Sequence, residues 1–228
     1  MTRNAIIPIG VNLYKTPSEH NESATVCVQT CFFPSKRSAW SMELVATTYL
    51  ELTHPPVGDP LGAPGGDVTV AAERPAYDEY MRLWRSVGGP LDWDGRLITP
   101  VEEVEAILVS PSAEIFVARF RSEAAGLCEF NKSEPLGSEI VYFGLSPAFQ
   151  GRRLGPYLLD VALRQHWKTN SPHRVWLHTD TWDDPRALPL YKRIGFRIFA
   201  TLDLPETTTE EEYRAMVREL PRPSLVSE

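Results

Sequence analysis

Apolar residues along this chain either alternate with polar ones or recur every three to four positions, in a succession of short segments. Runs rich in Val, Ile, Phe and Thr predict strands over 42–52, 67–73, 114–121, 126–132, 139–145, 174–181 and 196–202. Helical periods predict helices from Pro75 to about Val87, over 100–109, after Gly155 and over 185–194. The strand and helix order indicates an α/β domain with a mixed sheet and helices on both faces.

Local signals refine this outline. Thr99 and Glu102 have the spacing of a capping box, and the polar stretch 122–125 predicts the turn of a hairpin. The stretch 55–66 is dense in Pro and Gly, which indicates an exposed loop or linker. The helix-prone tail 208–220 carries an apolar stripe and is expected to pack on the domain or on a partner subunit.

The chain is predicted to form one domain over 41–228, preceded by an extension over 1–40. The extension mixes prolines and polar residues with a β-prone run at 24–33, so it is either a disordered tail or a docked strand. A length of 228 residues with 43% hydrophobic residues allows a full core.

Charge and composition narrow the function classes. The net charge is -7 and there is no long basic run, which makes nucleic acid an unexpected partner. The apolar stretches are too short to span a membrane, which favours the cytoplasm. Three cysteines, Cys27, Cys31 and Cys128, are read as free thiols, and no metal site is expected.

A strand that ends at Leu145 leads through a Gly-containing loop into a helix. Such a turn directs several unpaired backbone N–H groups and the positive end of a helix at one point. This arrangement is suited to an anion such as a pyrophosphate, although a Gly before a helix is often only turn geometry.

Two motifs resemble those of the GNAT superfamily of N-acyltransferases. The first lies over 139–166. Its loop requires Gln or Arg, two positions of any type, Gly, one position of any type, and then Gly or Ala. The loop here consists of Gln150, Gly151, Arg152, Arg153, Leu154 and Gly155. The second, over 174–196, is matched by Asp184, Ala187, Leu190, Tyr191, Gly195 and Phe196. The resemblance is looser over 67–138. It implies a GNAT fold, with a mixed, mostly antiparallel sheet whose central strands splay apart.

The resemblance also implies acetyl-coenzyme A as co-substrate. Its pantetheine arm would pair with the backbone of Phe143, Gly144 and Leu145, and its pyrophosphate would lie on the loop 150–155. Arg153 replaces the first motif Gly, and Arg does not easily adopt a left-handed backbone. Either the loop still closes, with the guanidinium free to contact a phosphate or to face solvent, or coenzyme binding is weakened; we favour the first. Asp184 takes the place of an Asn that touches the arm, but a role as N-cap explains it equally well.

Transfer to an amine needs a base for the ammonium and an acid for the departing thiolate. Tyr191 stands where the family carries the acid, and Glu139 stands where relatives carry the base. His178 and Asp180 are rival bases. Each candidate also has an ordinary structural interpretation. Tyr191 would then be a core aromatic, Glu139 a solvated carboxylate and His178 a buried histidine.

Trp84, Trp93 and Tyr142 are candidates for lining an acceptor pocket, with His178 and Asp180 beside them, although Trp84 also suits a helix core. The net negative charge of the chain favours a cationic acceptor. The sequence thus predicts an N-acetyltransferase acting on a primary amine of a small molecule. The alternatives are a protein or peptide amine as acceptor, or a silent module that binds coenzyme A. GNAT relatives are often dimers, so a homodimer is a further expectation from the resemblance.

Overall fold

The computed structural model describes residues 44–132 and 137–205, together with residues 212, 215, 216, 219 and 220. The predicted extension 1–40, with its β-prone run at 24–33 and Cys27 and Cys31, lies outside the described residues. Cys128 is buried and is not in a disulfide.

The described residues form seven strands and five helices. The strands are β1 (Leu44–Leu52), β2 (Val68–Glu73), β3 (Ala113–Phe120), β4 (Glu123–Asn131), β5 (Ser138–Leu145), β6 (Val175–Asp180) and β7 (Arg197–Pro205). The helices are α1 (Tyr77–Gly88), α2 (Gly95–Ile98), α3 (Val101–Val109), α4 (Leu154–Asn170) and α5 (Ala187–Ile194). Every predicted strand within the described residues is present, and α2 is the one helix that the sequence pattern did not indicate.

The strands form one open sheet in the order β2-β3-β4-β5-β6-β1-β7. All neighbouring pairs are antiparallel except β5 and β6, which run parallel. The predicted fold class, a mixed and mostly antiparallel sheet with helices on both faces, is confirmed.

Alternating side chains of the strands build a core on each face of the sheet. One core lies under α4 and α5 and contains Phe130, Leu158 and Tyr191. The other lies under α1 and α3 and contains Trp84 and Tyr142. A polar group on the central strands therefore faces one of two different environments, according to its position in the alternation.

The first strand inserts between β6 and β7, near the end of the sheet. Tyr49 on β1 is fully buried and forms a small cluster with Trp176 of β6. Met216 and Leu220 of the tail pack against this cluster, as the apolar stripe predicted.

Three local predictions need correction. Pro100, not Thr99, precedes α3, and the Thr99 hydroxyl donates to the carbonyl oxygen of Gly95 at 2.6 Å, so no capping box forms. The hairpin turn consists of two residues, Arg121 and Ser122, both with positive φ. This is the geometry of a tight hairpin whose twist matches that of its strands, so β4 begins earlier than the polar pattern suggested.

The Pro- and Gly-rich segment is a loop that is tied to α4. The carboxylate of Asp160 accepts a hydrogen bond from the Leu61 N–H at 2.9 Å, and Arg164 donates to the Gly58 carbonyl at 3.0 Å. Arg164 also pairs with Asp160 at 3.0 Å. Within the described part of the chain, no helix combines the length and hydropathy needed to cross a membrane.

Replacing Asp160 by Ala should lower the free energy of unfolding by about 1–3 kcal/mol. The side chain is only 4% exposed, and its loss leaves the Leu61 N–H and the Arg164 guanidinium without their acceptor. Denaturant unfolding measures the change. Glu105→Ala, at an exposed position of α3, is the control and should stay within about 0.5 kcal/mol of the parent. Equal effects of the two substitutions would contradict the tie between loop and helix.

Candidate functional site

A gap opens between β5 and β6 in the middle of the sheet. The two strands pair only at Ser138 and Glu139, and β5 then continues to Leu145 with β4 as its only neighbour. The register between β4 and β5 shifts around Val141, which is a bulge. A bulge bends its strand and increases its twist, so it accounts for the divergence of β5 from β6.

The free edge of β5 presents backbone groups to this gap. The Ser146 N–H donates to the Ala125 carbonyl on the β4 side at 2.9 Å. Because successive N–H groups of an extended strand point to opposite sides, those of Leu145 and Phe143 point away from β4, toward the gap. Gly144 has a packing role as well, since a Cβ there would lie 2.5 Å from Val87 of α1.

The loop from Gln150 to α4 closes at the mouth of the gap. Gly151 and Arg153 both have positive φ, 76° and 61°, and Arg153 is the N-cap of α4. Arg therefore adopts the left-handed conformation for which Gly is usually required. The Leu154 side chain is buried in the core, and a Cβ on Gly155 would approach Leu145 and Phe143 only at ordinary contact distances, 3.7 and 4.0 Å.

The first turn of a helix has no intrahelical acceptor for its N–H groups. At the start of α4 these groups belong to Arg153, Leu154 and Gly155, since Pro156 has none. Arg152 is exposed, and its guanidinium lies over the rings of Phe120 and Phe149, at 5.6 and 5.7 Å. The loop thus combines unpaired donors with two positive charges, as an anion site requires.

A polar bridge joins this loop to the turn before α5. Arg186 donates to the Gln150 side-chain oxygen at 2.8 Å and forms an ion pair with Asp184. Asp184 also accepts the Arg186 N–H at 2.9 Å, and Arg186 holds the pKa of Asp184 below its ordinary value. α5 begins at Ala187, two residues later than predicted, so Asp184 organises the turn before the helix. Any contact of Asp184 with a coenzyme would coexist with these bonds.

Tyr191 of α5 lies on the α4 and α5 side of the gap. Its ring is 6.0 Å from that of Phe143 on β5 and 6.0 Å from that of Phe196. The side chain is 6% exposed, and burial, with the charge of Asp183, raises the pKa of Tyr191 well above its ordinary value. The phenol therefore holds its proton at neutral pH.

Glu139 lies on the opposite side of the gap, at its closed end. It is 4% exposed, and burial together with the charge of Glu129 raises its pKa to about 8. The Nδ1 atom of His178 on β6 is 3.8 Å from a Glu139 carboxylate oxygen. The structure thus brings together two of the three predicted candidates for the base.

Asp180, the third candidate, serves the turn after β6. One carboxylate oxygen accepts the N–H groups of Trp182 and Asp183, at 2.7 and 3.2 Å. Burial and the charge of Asp183 raise the pKa of Asp180 to about 6. Its side chain is therefore engaged in local structure.

Three aromatic rings cluster beyond Glu139 on the same face of the sheet. Ring centroids are 5.5 Å apart for Trp84 and Tyr142, 5.9 Å for Trp84 and Trp93, and 5.2 Å for Trp93 and Tyr142. Trp84 is fully buried in the core, as its helical stripe suggested, while Trp93 is only partly buried. Trp93 is thus the one of these three predicted acceptor residues that is partly accessible to solvent, whereas Tyr142 is 4% exposed.

A buried ion pair that the sequence did not reveal supports this cluster. Arg96 of α2 donates to Glu129 of β4 at 2.5 Å and to the Tyr80 hydroxyl at 2.9 Å, and Tyr80 donates to Glu129 at 2.5 Å. Arg96 and Glu129 are 3% and 2% exposed, and the guanidinium lies 5.0 Å from the centre of the Tyr142 ring. Because the partners are 33 positions apart, no local pattern indicates the pair.

Asp94, directly before α2, was also not predicted. It occupies the N-cap position of this short helix without making a side-chain cap bond. Among the described residues, its Oδ1 atom is buried without a hydrogen-bond partner, and burial raises the pKa of Asp94 to about 6. The sequence offered little indication of Asp94, which simply follows Trp93 in a polar segment.

Comparisons with known proteins agree with this geometry. The model of the acetyltransferase (GNAT) family matches residues 75–196, which is more than half of the chain. A search of curated protein sequences found no significant match.

Two solved structures illustrate the likeness of fold. A GCN5-related N-acetyltransferase from Kribbella flavida is 15% identical, with a TM-score of 0.52, and the match covers 77% of this chain and 61% of that one. A tandem GNAT protein from the clavulanic acid biosynthesis pathway is also 15% identical, with a TM-score of 0.52, and the match covers 74% of this chain and 55% of that one. This chain therefore spans less than two thirds of either structure.

Arg153→Gly should be more stable than Arg153→Ala by about 1 kcal/mol. A left-handed backbone costs a residue with a Cβ about 1–2 kcal/mol, which Gly avoids at the expense of a greater loss of chain entropy on folding. Urea unfolding of both variants measures the difference. Arg152 does not have a positive φ, so Arg152→Gly should be no more stable than Arg152→Ala. A loop that tolerates Ala as well as Gly at position 153 would contradict the left-handed conformation.

Glu139→Gln should stabilise the protein at pH 8 more than at pH 5. The folded state holds the Glu139 proton up to a pKa of about 8, against an ordinary 4.5, so its contribution to stability decreases as pH rises between these values. Gln is neutral and of similar size, which removes this penalty. Melting temperatures measure the effect, with about 2–4 °C expected per kcal/mol.

The control for this comparison is Glu123→Gln, at an exposed carboxylate. Its change in melting temperature should be the same at the two pH values. A stabilisation by Glu139→Gln that does not grow with pH would exclude the raised pKa.

Proposed function

Since the chain belongs to the acetyltransferase (GNAT) family, we propose that it transfers an acetyl group from acetyl-coenzyme A to a primary amine of a small molecule. The observation that carries the proposal is the gap between β5 and β6, with a buried carboxylate on one side and a buried phenol on the other. These are the two proton-transferring groups that direct acetyl transfer needs.

The residues around the gap suit coenzyme A. The N–H groups of Phe143 and Leu145 would bind the amides of its arm, and those of residues 151–155 its pyrophosphate. Arg153 and Arg152 would add charge-assisted hydrogen bonds to phosphate oxygens. Acetyl-coenzyme A supplies the acetyl group as a thioester.

Glu139 is the base in this proposal. With a pKa of about 8, the ionised form of Glu139 is a much stronger base than an ordinary carboxylate, and the fraction in this form increases as the pH rises toward 8. His178, 3.8 Å away, would orient Glu139 or take over its proton. Asp180 has a positioning role, because its carboxylate holds the turn.

Tyr191 is the acid. Its buried phenol keeps its proton, and the contact with Phe143 places the ring beside the open edge of β5. In the transfer, the ammonium gives one proton to Glu139, and the C–N bond forms as the C–S bond breaks. Tyr191 gives one proton to the sulfur, and the nitrogen of the new amide releases its second proton to solvent. The Leu145 N–H would stabilise the negative charge that develops on the carbonyl oxygen. Solvent then restores both proton states.

The acceptor side favours a small cation over a large polymer. Glu139 and Asp94 lie on this face beside the rings of Trp93 and Tyr142, and the nearby Arg96 is already paired with Glu129. Asp94 has no ion-pair partner among the described residues, and such a carboxylate next to aromatic faces favours a protonated amine.

The proposal is tested by calorimetric titration with acetyl-coenzyme A, followed by thiol release over a panel of primary amines. We expect micromolar binding, and release with some amines. Binding without release from any amine would favour a silent module that binds coenzyme A, and no binding would overturn the proposal.

Tyr191→Phe and Glu139→Gln should each lower kcat by about 100-fold or more, since each removes one proton-transferring group. Binding of acetyl-coenzyme A should change little in either variant, because neither side chain is assigned to the coenzyme. Tyr77→Phe, a half-buried tyrosine of α1, is the matched control and should retain kcat. A full maximal rate in Tyr191→Phe would remove its assigned role.

A further inference from the structure

Two oxygen atoms beside the aromatic cluster have unmet hydrogen-bonding capacity. The Oδ1 atom of Asp94 and the hydroxyl of Tyr142 are both buried, and within the described residues neither has a hydrogen-bond partner. Leaving a buried polar group unpaired costs about 1–3 kcal/mol, and more for a charged one. Such a cost at two neighbouring groups indicates that a ligand completes the site.

The two groups lie within electrostatic range of each other. The charge of Asp94 contributes to raising the pKa of Tyr142 to about 12, although burial is the largest cause. Tyr142 is 4% exposed, and its ring packs against that of Trp93, the residue immediately before Asp94. A carboxylate, a phenol oxygen and an indole ring therefore border the same space.

The neighbouring guanidinium of Arg96 does not neutralise the Asp94 carboxylate. Arg96 lies over the Tyr142 ring at 5.0 Å, but its guanidinium donates to Glu129 and Tyr80. Among the described residues, no Lys, Arg or His forms a salt bridge with Asp94. Arg96 thus holds α2, and with it Asp94, over the sheet while leaving the Asp94 charge uncompensated.

An ammonium group fits these requirements best. It has three N–H donors and no acceptor, so it could donate to both the carboxylate and the phenol oxygen. It also favours the face of an aromatic ring, which Trp93 provides. A carboxylate or phosphate would be repelled by Asp94, and a neutral hydroxyl has one donor for two acceptors.

This space is separate from the position of the reacting amine. Glu139 and Tyr142 on β5 lie opposite Asn131 and Glu129, which are two residues apart on β4 and therefore about 7 Å apart along the strand. The bulge at Val141 turns both side chains to the same face, because it adds one residue to the alternation. A short aliphatic chain can therefore join an amine at Glu139 to a second one at Asp94.

We propose that the acceptor is a diamine, with one amine acetylated beside Glu139 and the second, protonated amine bound between Asp94 and Tyr142 against Trp93. This inference rests on the proposed function and names its substrate class. It assigns Asp94 as the residue that determines specificity for the second cation.

The test compares kcat/KM for unbranched diamines of three to six carbons with kcat/KM for monoamines of the same carbon number. We expect the best diamine to exceed its monoamine by at least tenfold in the parent protein. In Asp94→Asn the ratio should decrease to about two, because the charge is lost while the shape is kept. Tyr142→Phe should give an intermediate ratio.

Asp92→Asn is the matched control. It removes the same charge two positions away, at an exposed residue whose left-handed backbone Asn tolerates, and it should keep the diamine preference. No preference in the parent protein, or equal preference in the parent and Asp94→Asn, would overturn the inference.

A binding measurement separates this inference from the proposed function. Calorimetric titration of each unbranched diamine of three to six carbons, in the presence of coenzyme A, needs no turnover. Binding that weakens at least tenfold in Asp94→Asn but not in Asp92→Asn supports the cation subsite, even if no amine releases thiol. Equal diamine binding by the parent and Asp94→Asn would contradict the subsite, even if other amines are acetylated.

Discussion

The pairing of β5 with β6 ends after Glu139, and the rest of the site depends on this break. A bulge at Val141 bends β5 away, so that its edge from Ile140 to Leu145 faces a gap instead of a strand. In a closed sheet, the N–H groups of Phe143 and Leu145 would bond to β6, and no extended ligand could enter. The break also sets the burial of Glu139, which lies at the last paired position, where the strands still exclude water.

The position of the segment that carries Trp93 and Asp94 depends on the buried ion pair of Arg96 and Glu129. Helix α2 has only four residues, too few to be stable alone. Arg96 anchors it through one hydrogen bond to Glu129 of the sheet and one to Tyr80 of α1. Burial of a salt bridge is not in itself strong evidence of stabilisation, since desolvation opposes the attraction. Its position over Tyr142 indicates a structural purpose, which is to fix the segment carrying Trp93 and Asp94 at one distance from β5.

The sequence predicted the strands and four of the helices because alternation and helical period record which side of an element is buried. It also indicated the turn before α4, since Gly151 and Gly155 mark a turn before a helix; the binding of an anion there stays a prediction. Three features depend on tertiary contacts and left no local pattern: the bulge at Val141, the pairing of residues 96 and 129, and the unpartnered oxygen of Asp94. The turn at Arg121 and Ser122 was misplaced because neither residue is one that favours positive φ.

The two faces of the sheet separate the two groups that we propose as proton carriers. Tyr191 packs in the core under α4 and α5, whereas Glu139 and His178 lie on the other face, near Trp176 and Tyr49. A base and an acid on the same face could bond to each other, which would lower the pKa of the carboxyl and occupy the phenol. With the sheet between them, each keeps its raised pKa, and they can act on one molecule only through the gap. In the proposed mechanism, the break in the sheet therefore provides both the binding edge and the path that connects the acid to the base.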